Sequence, residues 1–335
     1  MAQFALGRTK GLPNLRVAEA MRWLAHRLQV NPYLDIEARY ALLERSRHGT
    51  ETNSRDLADR FAAWTVVERL LRNKGELERT LSGQRRIRVP DDRVSIESLE
   101  AVNRCSPQVW DLAPSIIALL HLYDLHRGLP QSRQKRLERF ATWMERTVRD
   151  AGGLQPIEVM CAIETLIGAG RTGTGVCKFG RVEKDPLRYL INAAWDLDWI
   201  SLVGRSEAGT AEWHGRPRRT VFLTLDTSLA TAVEDLRLAA VVDSGAHRFG
   251  GFRLSRDHLR QLSSVRDESI VDGIETLLQQ NSRAALQRAA NTPSRSLQQE
   301  IEHEESLYQR ATELLAEVLP GHFPSTSAAL KQGTH

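Results

Sequence analysis

Lysine is nearly missing from this sequence. It occurs only at positions 10, 74, 135, 178, 184 and 331, although lysine and arginine together number 46. The basic side is therefore almost all arginine, whose planar guanidinium favours bidentate contacts with phosphate and carboxylate. Cysteine is also scarce. Cys105, Cys161 and Cys177 are odd in number and widely spaced, with no Cys-x-x-Cys and no Cys/His ligand spacing. That excludes a disulfide framework and a zinc finger and fits a reducing compartment. Long apolar runs are lacking too. The longest stretch, Ile116 to Leu122, is far too short to span a bilayer. Met1 to Lys10 lacks the apolar core of a signal peptide. A cytoplasmic protein with no membrane partner is expected.

Catalytic motifs are equally sparse. Gly168-Ala169-Gly170-Arg171-Thr172-Gly173 is no phosphate-binding loop, because no Gly-Lys-Ser/Thr follows it. His121 and His126 lie five apart, a poor spacing for two ligands on one helix face. Arg253 and His258 form an Arg-x4-His spacing that so arginine-rich a chain produces by chance. No nucleophile–base pair and no ligand cluster stands out. The expectation is a protein that is not an enzyme, with no catalytic residues, no metal site and no cofactor.

What is present is a long helical pattern. At 335 residues the chain has room for two or three units of roughly 100–200 residues. Hydrophobic residues make up 41% and charged residues 26%, enough of both for a folded core and a soluble surface. Asn14 can cap a helix carrying Val17, Met21, Leu24 and Leu28 at helical period. A second helix is expected from Asp35 to Arg47. Ser54 opens a third, with Leu57, Phe61, Trp64 and Leu71 in phase and Gly75 just past its end. Pro114 is expected to kink or split a strongly apolar helix through Ser115 to Leu125. Pro130-Gln131-Ser132 starts another helix that ends at Gly152-Gly153, and Gln155-Pro156 opens the next. The expected fold is mainly α. It comprises a helical domain over 1–152, a winged-helix-like α+β domain over 153–245, a C-terminal helical pair over 254–320 and a tail over 321–335.

The middle domain carries the functional reading. Asp185-Pro186 opens a helix to about Asp198, with Leu187, Leu190, Ala194 and Leu197 on one stripe. A strand, Trp199 to Val203, is expected next. A basic turn holding His214, Arg216, Arg218 and Arg219 follows, and then a second strand, Thr220 to Leu225. This is the order of a recognition helix and a two-stranded wing. Arg188 and Asn192 share a helix face, and these two residue types read guanine and adenine in the major groove. Lys184 before the helix, and Arg205, Arg216, Arg218 and Arg219 after it, suit phosphate. The candidate DNA-binding residues are Lys184, Arg188, Asn192, Arg205, His214, Arg216, Arg218 and Arg219, and double-stranded DNA is the expected partner.

Leu197-Asp198-Trp199-Ile200, Arg205 and Arg218-Arg219-Thr220-Val221-Phe222-Leu223-Thr224-Leu225 resemble the wing of MarR-like bacterial regulators. The resemblance covers residues 185–236. It implies a winged helix and transcription control by a dimer. Asp198 stands where that family has glycine, and Gly173, Gly175 and Gly180 interrupt the helix that should precede the recognition helix. Maintenance of a mobile element is an equal alternative within DNA binding. A protein-interaction scaffold built on the winged helix is the second hypothesis. A metal-dependent nuclease using Asp35, Glu37, Asp226 and Asp243 is the third. A second helix-turn-helix, from Ser54 with a wing at Gly83 to Val89, is a fainter pattern. In the last helices, Ile270, Ile274, Leu277, Leu297, Ile301, Leu307, Leu314 and Leu315 form apolar stripes flanked by Glu300, Glu302, Glu304 and Glu305. They serve either as a packed pair or as a homodimer interface.

Overall fold

The computed structural model describes residues 15–31, 42, 47–48, 51–85, 112–128, 132–167, 172–177, 179, 186–207, 212–213, 216–217, 229, 238–243, 248–252, 257, 259–260, 267–291 and 296–320. The chain divides into two compact units, Met1–Gln108 and Val109–His335.

The first unit is built on α1 (Leu15–Val30), α2 (Ser54–Arg72) and α3 (Lys74–Leu81), with a two-residue hairpin of β1 (Arg47–His48) and β2 (Glu51–Thr52). Ala18, Met21, Ala25 and Leu28 of α1 are buried at helical spacing. They pack on Val66, Val67, Leu70 and Leu71 of α2 and on Leu77 and Leu81 of α3. Asn73 ends α2 and starts α3. Its backbone N–H donates to the Leu70 carbonyl, and its side chain accepts the Glu76 N–H at 3.1 Å. Gly75 therefore lies inside α3 instead of ending the helix before it. Of the helix expected over 35–47, only Leu42 and Arg47 are described, Leu42 in a helix and Arg47 in β1.

The second unit wraps helices around α4 (Ala113–Arg127), which is buried at Ala113 and from Ser115 through Tyr123. Pro114 does not kink this helix. It occupies the first turn, where a missing N–H costs no hydrogen bond and the fixed φ suits the helix. Against α4 pack α5 (Arg133–Ala151), α8 (Pro186–Glu207) and α10 (Leu297–Val318). The Trp143 indole N–H of α5 donates to the Ala118 carbonyl of α4 at 3.0 Å. Gly152, at φ 77°, ends α5 in the left-handed conformation that glycine adopts without penalty.

Helix α6 (Pro156–Ala162) widens into a π-helical turn over Ile163–Ile167, all five of whose residues are buried. Thr172–Cys177 then forms a short helix, α7, where the glycines favoured a loop. Helix α9 (Glu268–Asn291) approaches α5 so closely at Gly273 that a Cβ there would collide with Leu137. The hairpin β5 (Leu238–Asp243) and β6 (Arg248–Phe252) pairs Val242 with Phe249 and Val241 with Gly250. The β-branched and aromatic residues of this hairpin suit a pleated ladder.

Among the described residues no winged helix is seen. Trp199 to Val203, expected as the first wing strand, is the continuation of α8, which runs unbroken for 22 residues. The buried positions Leu190, Ala194, Leu197 and Ile200 carry the helical period straight across Asp198, and no Gly or Pro interrupts it before Gly204. The second wing strand, 220–225, and the helix from Asp226 lie outside the described residues, apart from Leu229. Ahead of them the described residues include a hairpin of two-residue strands, β3 (Glu212–Trp213) and β4 (Arg216–Pro217). The mainly-α expectation agrees with the fold, whereas the α+β winged-helix domain is corrected.

Candidate nucleic-acid interface

Helix α8 does not have the open outer face that groove reading requires. Leu190, Ile191, Ala193, Ala194, Trp195, Asp196 and Leu197 are all buried, so the middle of the helix is enclosed on nearly every side. Asn192 is half-buried between them. Arg188 and Arg205 lie near opposite ends of α8, and Arg216 lies in β4. Lys184, His214, Arg218 and Arg219 lie outside the described residues. Asn192 on α8 thus lies within a packed segment instead of on a recognition surface.

Among the described residues of the second unit, the start of α5 presents a cationic surface. Arg133, Lys135, Arg136 and Arg139 fall in its first two turns, and its first turn holds no acidic residue. Arg133 and Lys135 are exposed, while Arg136 and Arg139 are half-buried. Acidic residues lie nearby as well: Glu138 is on the same helix, and Asp272 adjoins the Gly273 that packs on Leu137. Hydrogen bonds from Ser269, with a smaller contribution from the Arg133 charge, hold the Asp267 carboxyl below the usual range. A helix carries partial positive charge at this end, so cations here are unfavourable by about 0.3–1 kcal/mol each. Ser132, the N-cap, makes no side-chain capping bond to the first-turn N–H groups. Amides at a helix start, set among guanidiniums, suit a phosphate.

A buried polar network ties three helices together. The Asp150 carboxylate of α5 accepts from His121 Nε2 of α4 at 2.9 Å and from Arg310 Nη2 of α10 at 3.1 Å. It also accepts from the neighbouring Arg149 Nε at 2.9 Å. Burial pushes the Asp150 carboxyl upward, but the donors from Arg149, Arg310 and His121 outweigh it and bring the pKa down to about 2. Burial lowers the His121 pKa despite the carboxylate beside it, so the ring is neutral and Nε2 carries the proton. This arrangement holds α10 in place. Leu314 and Leu315, part of the apolar stripe expected in the last helices, are buried, while Ile301 in the same helix remains 42% exposed.

A second buried centre lies at the start of α6. Glu158 accepts the Ser115 hydroxyl at 2.9 Å and the Gln155 N–H at 2.9 Å. The Ser201 hydroxyl of α8 donates to the Gln155 side-chain carbonyl. Burial raises the Glu158 pKa to about 7 against those two donors, and the Asp198 carboxylate adds to the rise. The group borders a pocket of about 350 Å³ shared with Pro114, Gly152, Gly153, Gln155 and His303. Chemically it can hold or release a proton near neutrality. Cys161 and Cys177 lie together beneath it as free, buried thiols, and the Cys161 thiol is pushed up by its hydrogen bond to Cys177 and by burial.

Sequence reasoning passed over both centres. The basic start of α5 is visible as a charge run at a helix start, and the Glu158 contact to Gln155 as a Gln-Pro-x-Glu capping pattern. Burial of either carboxylate left no local signal. Among the described residues no group of three His, Cys, Asp or Glu is placed to hold a metal ion, and no helix is long and apolar enough to cross a membrane. No family model, curated protein or solved structure matches this chain.

Proposed function

We propose that this chain is a non-catalytic DNA-binding protein of the cytoplasm that holds duplex phosphates at the N-terminal turns of α5, without a winged helix. One observation carries the proposal: Arg133, Lys135, Arg136 and Arg139 crowd the positive end of a helix whose first turn has no acid and whose N-cap side chain is unused. Cations placed against a helix dipole weaken the fold, and a bound phosphate turns that cost into attraction. The arginine-dominated basic side and a sequence pI near 9.1 accord with it. Contacts of this kind position a protein on the duplex and carry no sequence information by themselves.

The test is duplex affinity against salt. Changing Arg133, Lys135 and Arg136 to Ala should weaken binding to all duplex sequences alike. The slope of log K against log salt should flatten by about 2.7, at roughly 0.9 per phosphate contact. An unchanged affinity and slope would remove α5 from the interface.

A further inference from the structure

Helix α1 turns an aromatic ring and two cations away from its own core. Its buried stripe is Ala18, Met21, Ala25 and Leu28. At about 100° per residue, Trp23 points to the opposite side, with Arg16 and Arg27 within roughly 40° of it. Trp23 is 41% exposed even though the Arg27 guanidinium lies 5.1 Å from its ring centroid. Glu19, the only acid in the helix, also lies about 40° from Trp23. The third arginine, Arg22, is taken up by Glu78 of α3 in a paired contact of 2.9 Å from Nε and 2.9 Å from Nη2. Arg16 and Arg27 have no carboxylate partner among the described residues.

We propose that this face of α1 is a stacking platform for the unpaired bases of single-stranded nucleic acid. Trp23 takes a base, and Arg16 and Arg27 take the adjoining phosphates. The chemistry selects this occupant. A π-surface flanked by cations matches a base flanked by phosphates, whereas a duplex keeps its base faces inside the stack. A second copy of the chain meeting this patch about a two-fold axis would set Arg16 and Arg27 near their own counterparts, which repels. A lipid surface needs a continuous apolar face. Here Leu15, Trp23 and Val30 are two turns apart, with Arg16, Glu19, His26 and Arg27 between them. The proposal rests on nucleic acid being the partner, but it uses a surface separate from α5.

The experiment measures binding of the full chain to labelled (dT)20 and to a 20-base-pair duplex by fluorescence anisotropy. Trp23→Ala should weaken (dT)20 binding roughly five- to a hundredfold, and Trp23→Phe should restore most of it, because stacking tolerates any aromatic ring. Arg16→Ala with Arg27→Ala should flatten the single-strand salt slope by about 1.4. Duplex affinity should stay as in the parent for all three variants, and circular-dichroism melts should coincide because Trp23 lies outside the core. Parent-like (dT)20 binding by Trp23→Ala overturns the proposal and leaves the α5 reading standing. Failure of the parent to bind either oligonucleotide overturns both. A lower sedimenting mass in Trp23→Ala assigns the face to a second copy. Lost retention on phosphatidylserine vesicles with (dT)20 binding unchanged assigns it to a membrane.

Discussion

Replacing Glu158 by Gln should make the protein more stable above neutrality and leave it little changed in acid. The folded pKa of Glu158 is about 7, above its ordinary value of 4.5, because burial outweighs the Ser115 and Gln155 donors. Below pH 4.5 the carboxyl is protonated in both the folded and the unfolded chain, and its hydrogen bonds stand at full value. Between 4.5 and 7 the unfolded chain loses the proton while the folded chain keeps it, so stability falls as pH rises. Above 7 the loss is complete. The gap corresponds to about 3 kcal/mol. Gln cannot ionise, so it is spared that loss. In acid the protonated carboxyl likewise presents one carbonyl oxygen and one donor, so the amide is a close substitute for it there. Urea unfolding of both proteins across roughly pH 4 to 8 isolates the difference, since every other titrating group is shared. The variant should lie close to the parent in acid and be stronger by about 3 kcal/mol above neutrality. Parallel curves for the two proteins would mean that Glu158 is not held protonated, and the buried-carboxyl account of the α6 start would be wrong.

Two further outcomes test the second unit. Asp150→Asn should cost about 2 kcal/mol at neutral pH, because the folded carboxyl sits near 2 against an ordinary 3.8. That contribution is present above 3.8 and is lost as pH falls through 2, so the variant and parent should converge in strong acid, and a gap that persists there would refute the linkage. Ser296→Ala removes the hydroxyl that accepts the Gln299 N–H at 3.3 Å at the start of α10 and should lower stability by about 1 kcal/mol. An unchanged unfolding midpoint would show that this turn frays independently of the rest.

Helical period made much of the fold legible, and its errors have local causes. Helices near 15–30, 54–72, 113–127 and 133–151 follow from apolar spacing and from Ser and Pro at helix starts. Trp199 to Val203 reads both ways because its four apolar residues, Trp199, Ile200, Leu202 and Val203, satisfy a buried strand and a turn of buried helix alike. Packing on all sides of α8 decided for helix. In α1 the sequence points to Val17, Met21, Leu24 and Leu28 as the inner face, whereas Val17 and Leu24 are only half-buried. The core stripe is rotated onto Ala18 and Ala25, and that rotation turns Trp23 outward. The basic start of α5 is legible as charge. The Glu158 centre is not, because its Ser115 donor lies 43 residues away along the chain.

The Asn73 joint has a consequence for how this chain can vary. One residue supplies the last bond of α2 and the first cap of α3, so the connection has no spare length. An inserted residue would separate the two roles, leaving one helix end to find a new partner and re-aiming α3 by about a third of a turn. Leu77 and Leu81 would then leave the stripe that meets α1. Related sequences should therefore differ here by substitution, with Asn, Asp or Ser recurring at this position, and place their insertions and deletions elsewhere.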